Sequence, residues 1–169
     1  MFTGSNEYKQ RRYDKGFCVN CSVKRDSEKA LCVDCRNAQK IAAQKRHEQR
    51  KIENKCTGCG HKISGQRAGQ KCLRCWFSHV AVVSLGTRDK GEGIARLFFE
   101  QRGQCAYTNE KLIPAKNACL DHKIPRTKGG SNDLDNIHWV TKDINRVKGN
   151  KTHDEFLALC RNITAKYDN

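Results

Sequence analysis

Two groups of four cysteines constrain this chain more than any other feature. They read Cys18-x2-Cys21 with Cys32-x2-Cys35, and Cys56-x2-Cys59 with Cys72-x2-Cys75. A C-x2-C pair makes a tight knuckle that aims two thiolates at one point. Two knuckles complete the tetrahedral, all-sulfur ligand set of a structural Zn2+. The other framework open to a cysteine-rich chain is a disulfide scaffold. The cysteine count, eleven, is odd. The first residues, MFTGSNEYKQRRYDKG, lack the apolar centre of a secretory leader. We therefore expect two structural Zn2+ in a reducing, cytoplasmic setting, with zinc 1 on Cys18, Cys21, Cys32 and Cys35 and zinc 2 on Cys56, Cys59, Cys72 and Cys75. Neither segment carries enough apolar sequence to fold alone, so the metal must supply much of the folding free energy.

The quartets are a tandem repeat. Gln10-Arg11-Arg12 leads into the first and Gln49-Arg50-Lys51 into the second. Between them, Arg36 to Lys55 lacks Gly and Pro and is rich in helix formers, which predicts a polar helix. Lys40, Lys45, Arg46, Arg50 and Lys51 on that helix either meet phosphates or face solvent only. With both quartets complete, His47, His61 and His79 are read as ordinary surface or packing residues.

Charge points to a polyanionic partner. Residues 1–84 hold 18 Lys and Arg against 7 Asp and Glu; residues 85–169 hold 15 against 11. Eight ligating thiolates and two Zn2+ lower the first half from +11 to about +7, still basic. Neutralised phosphates release counterions, so such a surface favours nucleic acid. No run reaches the ~20 apolar residues of a membrane span. We divide the chain into a basic, DNA-binding zinc region at 1–84 and a second domain at 85–169, beginning with the turn Gly86 to Gly93.

In the second domain Ile94, Leu97 and Phe98 have helical spacing, and Gly103 ends that helix. Short extended pieces are expected around Cys105-Ala106-Tyr107 and over Cys119 to Ile124, the latter carrying Asp121-His122. A long turn with Pro125, Gly129 and Gly130 follows, then a strand over Ile137 to Val140. Thr141 caps a short helix that Gly149 closes. Thr152-His153-Asp154-Glu155 is a capping box opening a last helix, whose Phe156, Leu157, Leu159 and Cys160 pack inward. Trp139 is expected in the core. The fold class is thus α+β, small and metal-stabilised: tandem four-cysteine knuckle or ribbon modules, then a strand–loop–strand–helix unit.

Residues 120–150, LDHKIPRTKGGSNDLDNIHWVTKDINRVKGN, resemble the HNH endonuclease family with its ββα-metal site. The Asp-His pair, the P-R-T-K-G-G loop, the N-D-L-D-N-I run and the N-R-x-K-G ending carry the likeness, over roughly residues 94–160. It implies a DNA endonuclease in which His122 is the general base and Asn136 orients the loop and the His122 ring. Asp121 and Asn145 would offer hard oxygen donors to one catalytic Mg2+ or Mn2+. Arg126, Lys128, Arg146 and Lys148 would meet phosphate. Many members carry a further four-cysteine site in this domain. Here only Cys105 remains, with Thr108, Thr141 and Ile144 at the other three places, so that site is expected to be absent, with Cys119 and Cys160 buried thiols.

Three function classes stay open on the sequence: a DNA endonuclease; a zinc-dependent nucleic-acid-binding protein with an inactive HNH fold; and a module recruiting a protein partner, such as a phage replication or packaging protein. Cutting both strands with one such site per chain would need a homodimer or two encounters. The resemblance favours a phage or mobile-element setting.

Overall fold

The computed structural model describes residues 3–21, 23–63, 65 and 67–167. The chain is a small mixed α/β protein that divides into two compact units, one ending at Glu53 and the other starting at Asn54. The second quartet therefore shares a body with the Asp121-His122 segment, whereas the division at 84/85 separates them by motif. No helix is long and apolar enough to cross a membrane.

The first unit contains α1 (Thr3–Asp14), which precedes the first quartet, and α2 (Val33–Ile52), which begins between Cys32 and Cys35. Its buried side chains, among the described residues, are the thiols of Cys18 and Cys32. Polar groups of α1 and the loops hold the rest. Arg12 donates from Nε to the carbonyl of Cys18 at 3.1 Å and also reaches the carbonyl of Cys21. The Arg25 guanidinium lies 3.9 Å from the Tyr13 ring centroid and donates to the Tyr13 carbonyl. A metal held by these cysteines would supply much of the folding free energy of a unit with no other buried side chains among the described residues.

The second unit builds a core around aromatic rings. A two-residue hairpin, β1 (Arg67–Ala68) with β2 (Lys71–Cys72), leads into α3 (Leu73–Leu85). Phe77, Ala81 and Leu85, spaced i, i+4, i+8, are buried along one stripe of α3, which stops where Gly86 takes a left-handed conformation at φ +77°. Then α4 (Gly91–Glu100) packs Ile94 and Phe98 against α3. Trp76 stacks on Trp139 with centroids 5.3 Å apart, and Phe77 and Phe98 meet both rings edge-on. Trp76 directly follows the zinc-ligand type Cys75, so the second quartet is built onto this core.

Trp139 belongs to a two-stranded antiparallel sheet, β3 (Ala118–His122) and β4 (Ile137–Thr141). The pairs are Ala118 with Thr141, Leu120 with Trp139, Asp121 with His138, and His122 with Ile137. Side chains alternate in a strand. Leu120, His122 and Trp139 therefore face α3 and α4, and Cys119, Asp121 and His138 face α5 (Lys142–Lys148). Helices cover both faces, and every residue of β4 is buried. The Thr141 hydroxyl accepts from Ile144 N at 3.2 Å as the expected cap, and Gly149 ends α5. The capping box is formed: Glu155 N donates to the Thr152 hydroxyl at 3.2 Å, and Thr152 N donates to the Glu155 carboxylate at 2.8 Å. It opens α6 (His153–Tyr167). Of that helix's expected core residues only Phe156 is buried. Leu157, Leu159 and Cys160 are half-buried, as is Cys119, because α6 covers the edge of the core rather than entering it.

The same backbone knuckle occurs a third time, around Cys105, without the other cysteines of a quartet. A one-pair bridge closes each knuckle: Phe17 with Lys24, Lys55 with Lys62, and Gln104 with Lys111. The amides of Cys18, Cys56 and Cys105 donate across it to Val23, His61 and Glu110 at 2.9, 2.9 and 2.8 Å. Two residues before each cysteine the backbone is left-handed, at Gly16 (φ +78°), Asn54 (+58°) and Gly103 (+65°), a turn that Gly and Asn make at least cost. Each copy then places a residue at a helix N-cap position, Cys32 before α2, Cys72 before α3 and Thr141 before α5, of which Thr141 alone accepts a capping hydrogen bond. The stretch expected to be extended at Cys105-Ala106-Tyr107 is thus the third knuckle.

Candidate metal centres and active site

In each quartet the four sulfur atoms lie within 4.8 Å of one another. Cys21 and Cys32 sulfurs are 3.5 Å apart, Cys59 and Cys72 sulfurs 3.9 Å. A tetrahedron with 2.3 Å Zn–S bonds has edges of about 3.8 Å. No cysteine is in a disulfide. The two clusters could hold structural metal ions such as zinc.

Their electrostatics suit a cation. Burial raises the Cys18 thiol, but amides of Cys32, Asn20 and Cys21 pointing at its sulfur reverse this and lower its pKa to about 6. Burial opposes the same effect at Cys56, where amides of Cys59, Cys72 and Gly58 bring it to about 6. The last proton of each cluster is hard to remove. Cys35 is pushed to about 12 by the sulfurs of Cys21 and Cys32, and Cys75 to about 12 by burial and its sulfur neighbours. A divalent ion relieves that repulsion. In the third knuckle, burial raises Cys105, yet the Thr108 hydroxyl and the amides of Tyr107 and Thr141 outweigh it and lower its pKa. Hydroxyl and amide donors thus surround this sulfur where thiols surround the others.

The Asp121-His122 pair ends β3, and the two side chains leave opposite faces. Asp121 is buried. Its Oδ2 lies 2.9 Å from His138 Nε2, across the sheet, and the Lys148 ammonium lies 3.2 and 3.1 Å from Oδ1 and Oδ2. Lys148 is 0% exposed and also donates to the His122 carbonyl at 2.8 Å. The expectation that Lys148 meets phosphate fails here, since its charge is enclosed by the protein. Lys128 pairs with Glu155 at 2.6 Å, Arg146 pairs with Asp143 at 3.3 Å, and Arg126 is exposed.

On the other face His122 Nε2 lies 2.8 Å from Asn132 Oδ1. The Asn132 amide nitrogen donates to the Leu85 carbonyl at 3.1 Å, which fixes its oxygen toward His122. That oxygen can only accept, so neutral His122 carries its proton on Nε2 and leaves the Nδ1 lone pair free.

Asn136 holds the intervening loop closed. Its oxygen accepts from Ile124 N at 2.9 Å, and its nitrogen donates to the carbonyls of Ile124 and Ser131 at 3.1 and 2.8 Å. The loop folds so tightly that a Cβ on Gly130 would lie 1.8 Å from the Ile124 carbonyl oxygen. The Asn145 amide nitrogen is 3.4 Å from the Cys119 sulfur, which puts Asn145 on the Asp121 side of the sheet. Tyr107 donates to or accepts from His153 Nδ1 at 3.0 Å, and its ring meets His138 edge-on. Burial first, then the charge of Asp121, push the Tyr107 hydroxyl well above its ordinary range. Burial and Asp121 likewise raise Cys119.

Sequence reasoning missed Asn132 and the grip of His138 and Lys148 on Asp121. The register supplies the signal for one of these. With β3 and β4 placed as expected, His138 falls directly opposite Asp121.

No model of a known protein family, no curated protein and no solved structure matches the chain significantly.

Proposed function

We propose that the chain is a metal-dependent DNA endonuclease of the HNH type. The observation that carries this reading is the strand–loop–strand–helix segment from Ala118 to Lys148, with Asp121-His122 at the strand end and Asn136 pinning the loop that follows. Asp121 offers a carboxylate and Asn145 an amide oxygen on one side of the sheet. Such hard donors suit Mg2+ or Mn2+, whose remaining positions go to water and phosphate. When bound, that cation would withdraw charge from the scissile phosphate. His122 takes a proton from the attacking water at Nδ1, while Asn132 steadies the ring. Since Asp121 and His122 face opposite ways, a phosphate served by both lies beyond the end of β3. The basic first half supplies sequence-independent grip on DNA.

One observation favours a second reading, a nucleic-acid-binding protein without catalysis. Both oxygens of Asp121 already contact Lys148 or His138, which is what a purely structural carboxylate would show. A carboxylate has about four lone-pair sites, so these contacts leave room for one more bond.

The test is relaxation of supercoiled plasmid by zinc-loaded protein with Mg2+, with Mn2+ and with neither added. Nicking only with added metal supports the nuclease. A gel shift without cutting under any condition, on duplex or branched DNA, gives the chain to the second reading.

A further inference from the structure

We infer that α2 is a duplex-DNA-binding helix that presents one basic face to the phosphate backbone. This rests on DNA being the partner, as proposed above, but not on the chain cutting it.

The helix is 20 residues, about 30 Å long. It has no buried residue, and its first turn is held by Cys32 and Cys35, two members of the first cysteine cluster. Cys35, Arg36 and Arg50 of α2 are half-buried and its other residues are exposed, so most of its side chains face solvent. At about 100° per residue, Arg36, Lys40, His47, Arg50 and Lys51 fall within an arc of about 100°, with Arg46 about 40° beyond its edge. The two carboxylates of α2, Asp34 and Glu48, lie outside that arc. Arg36 pairs with Asp26 at 2.7 Å and Lys51 with Glu48 at 3.0 Å, both near the surface, while Lys40 and Arg46 are exposed and make no ion pair among the described residues. Lys40 and Lys51 are about 16 Å apart along the axis, which spans several phosphates of a duplex.

The chemistry of the arc selects the partner. Single-stranded nucleic acid is held by stacking on aromatic rings, and α2 contains no Phe, Tyr or Trp. Anchors of protein interfaces, aromatic rings and Arg above all, sit in well-packed, desolvated pockets surrounded by apolar contacts. Beyond the first turn the only apolar side chain in the arc is Ala43. What remains is a row of cations suited to phosphates. Lys45 lies on the opposite side of the helix, beside Ile41 and Ile52, and serves as an internal control.

The experiment is salt-dependent binding of a fluorescein-labelled duplex and of the same strand unpaired. The full zinc-loaded chain is used without added Mg2+ or Mn2+. Wild type, Lys40→Gln, Lys40→Gln/Lys51→Gln and Lys45→Gln are compared, each checked for helicity and for two zinc ions per chain. Each lost phosphate contact lowers the slope of log affinity against log salt by about 0.9. The double variant is therefore expected to bind duplex about sixtyfold more weakly at 0.1 M salt, Lys40→Gln about eightfold, and Lys45→Gln like wild type. A double variant within twofold of wild type overturns the proposal, as does an equal loss in Lys45→Gln. An equal loss on the unpaired strand also overturns it, in favour of single-stranded nucleic acid. None of these bears on the nuclease reading, which plasmid relaxation decides separately.

Discussion

The ammonium of Lys148 is held 3.1 Å from one carboxylate oxygen of Asp121 and 3.2 Å from the other, in a place with no solvent exposure. His138 completes the group from the opposite strand. This fixes the end of β3 to the last turn of α5, three residues beyond Asn145. Breaking a buried ion pair by removing one partner costs about 3–5 kcal/mol, because the other charge is left buried. Lys148→Met is expected to lose about that much stability in denaturant unfolding. Asp121→Asn/Lys148→Met should lose less than Lys148→Met alone. If the double variant is the weaker, the two residues are not coupled as described.

Asn132 sets the His122 tautomer. Long-range nitrogen–proton NMR of the imidazole is expected to show the proton on Nε2 at neutral pH. In Asn132→Leu that preference should fall, and kcat on DNA should drop roughly tenfold or more while KM changes little. A wild-type signal from an Nδ1 proton would remove Asn132 from the positioning role.

Metal removal should act unevenly. The first unit buries only two thiols among its described side chains, whereas the second has the Trp76–Phe77–Phe98–Trp139 cluster. A zinc chelator is expected to abolish amide protection in α1 and α2 first, leaving slower exchange in β3 and β4. Unchanged protection in α2 after zinc loss would contradict the metal's structural part.

The capping box gives a pH signature. The Lys128 ammonium and the Thr152 amide hold Glu155 below its ordinary value of 4.5. A depressed carboxylate pKa adds stability above the unfolded value, and this is lost as pH falls below about 4.5 through the folded value. The Tm gap between wild type and Glu155→Gln should therefore be present at pH 6 and shrink between pH 4.5 and 3. A gap independent of pH would place the effect of Glu155 in packing instead.

Much of this architecture is legible in the sequence where local chemistry dictates it. Cysteine spacing marks both clusters. The turn residues Pro125, Gly129 and Gly130, the Thr141 cap and Gly149 locate β3, β4 and α5 to within about two residues. The backbone of the third knuckle is not legible because Cys105 alone marks it, and its left-handed turn at Gly103 reads as a simple helix stop. α1 was hidden because it has no apolar stripe and is tied down by Arg12 rather than by a core. Asn132 and Lys148 find their partners only through tertiary packing, 10 and 27 positions away in the chain. Lys148 in particular reads as a surface cation in the sequence, whereas α5 packs it against the sheet beside Asp121.

The most direct measurement of the central claim is single-turnover cleavage of a labelled DNA duplex by wild type and His122→Ala, both zinc-loaded and supplied with Mg2+. A positioned general base contributes about 10²–10⁴-fold. His122→Ala is expected to bind the duplex normally, keep both zinc ions and cut at least about a hundredfold more slowly. Cutting within a few-fold of wild type would show that His122 is not the base.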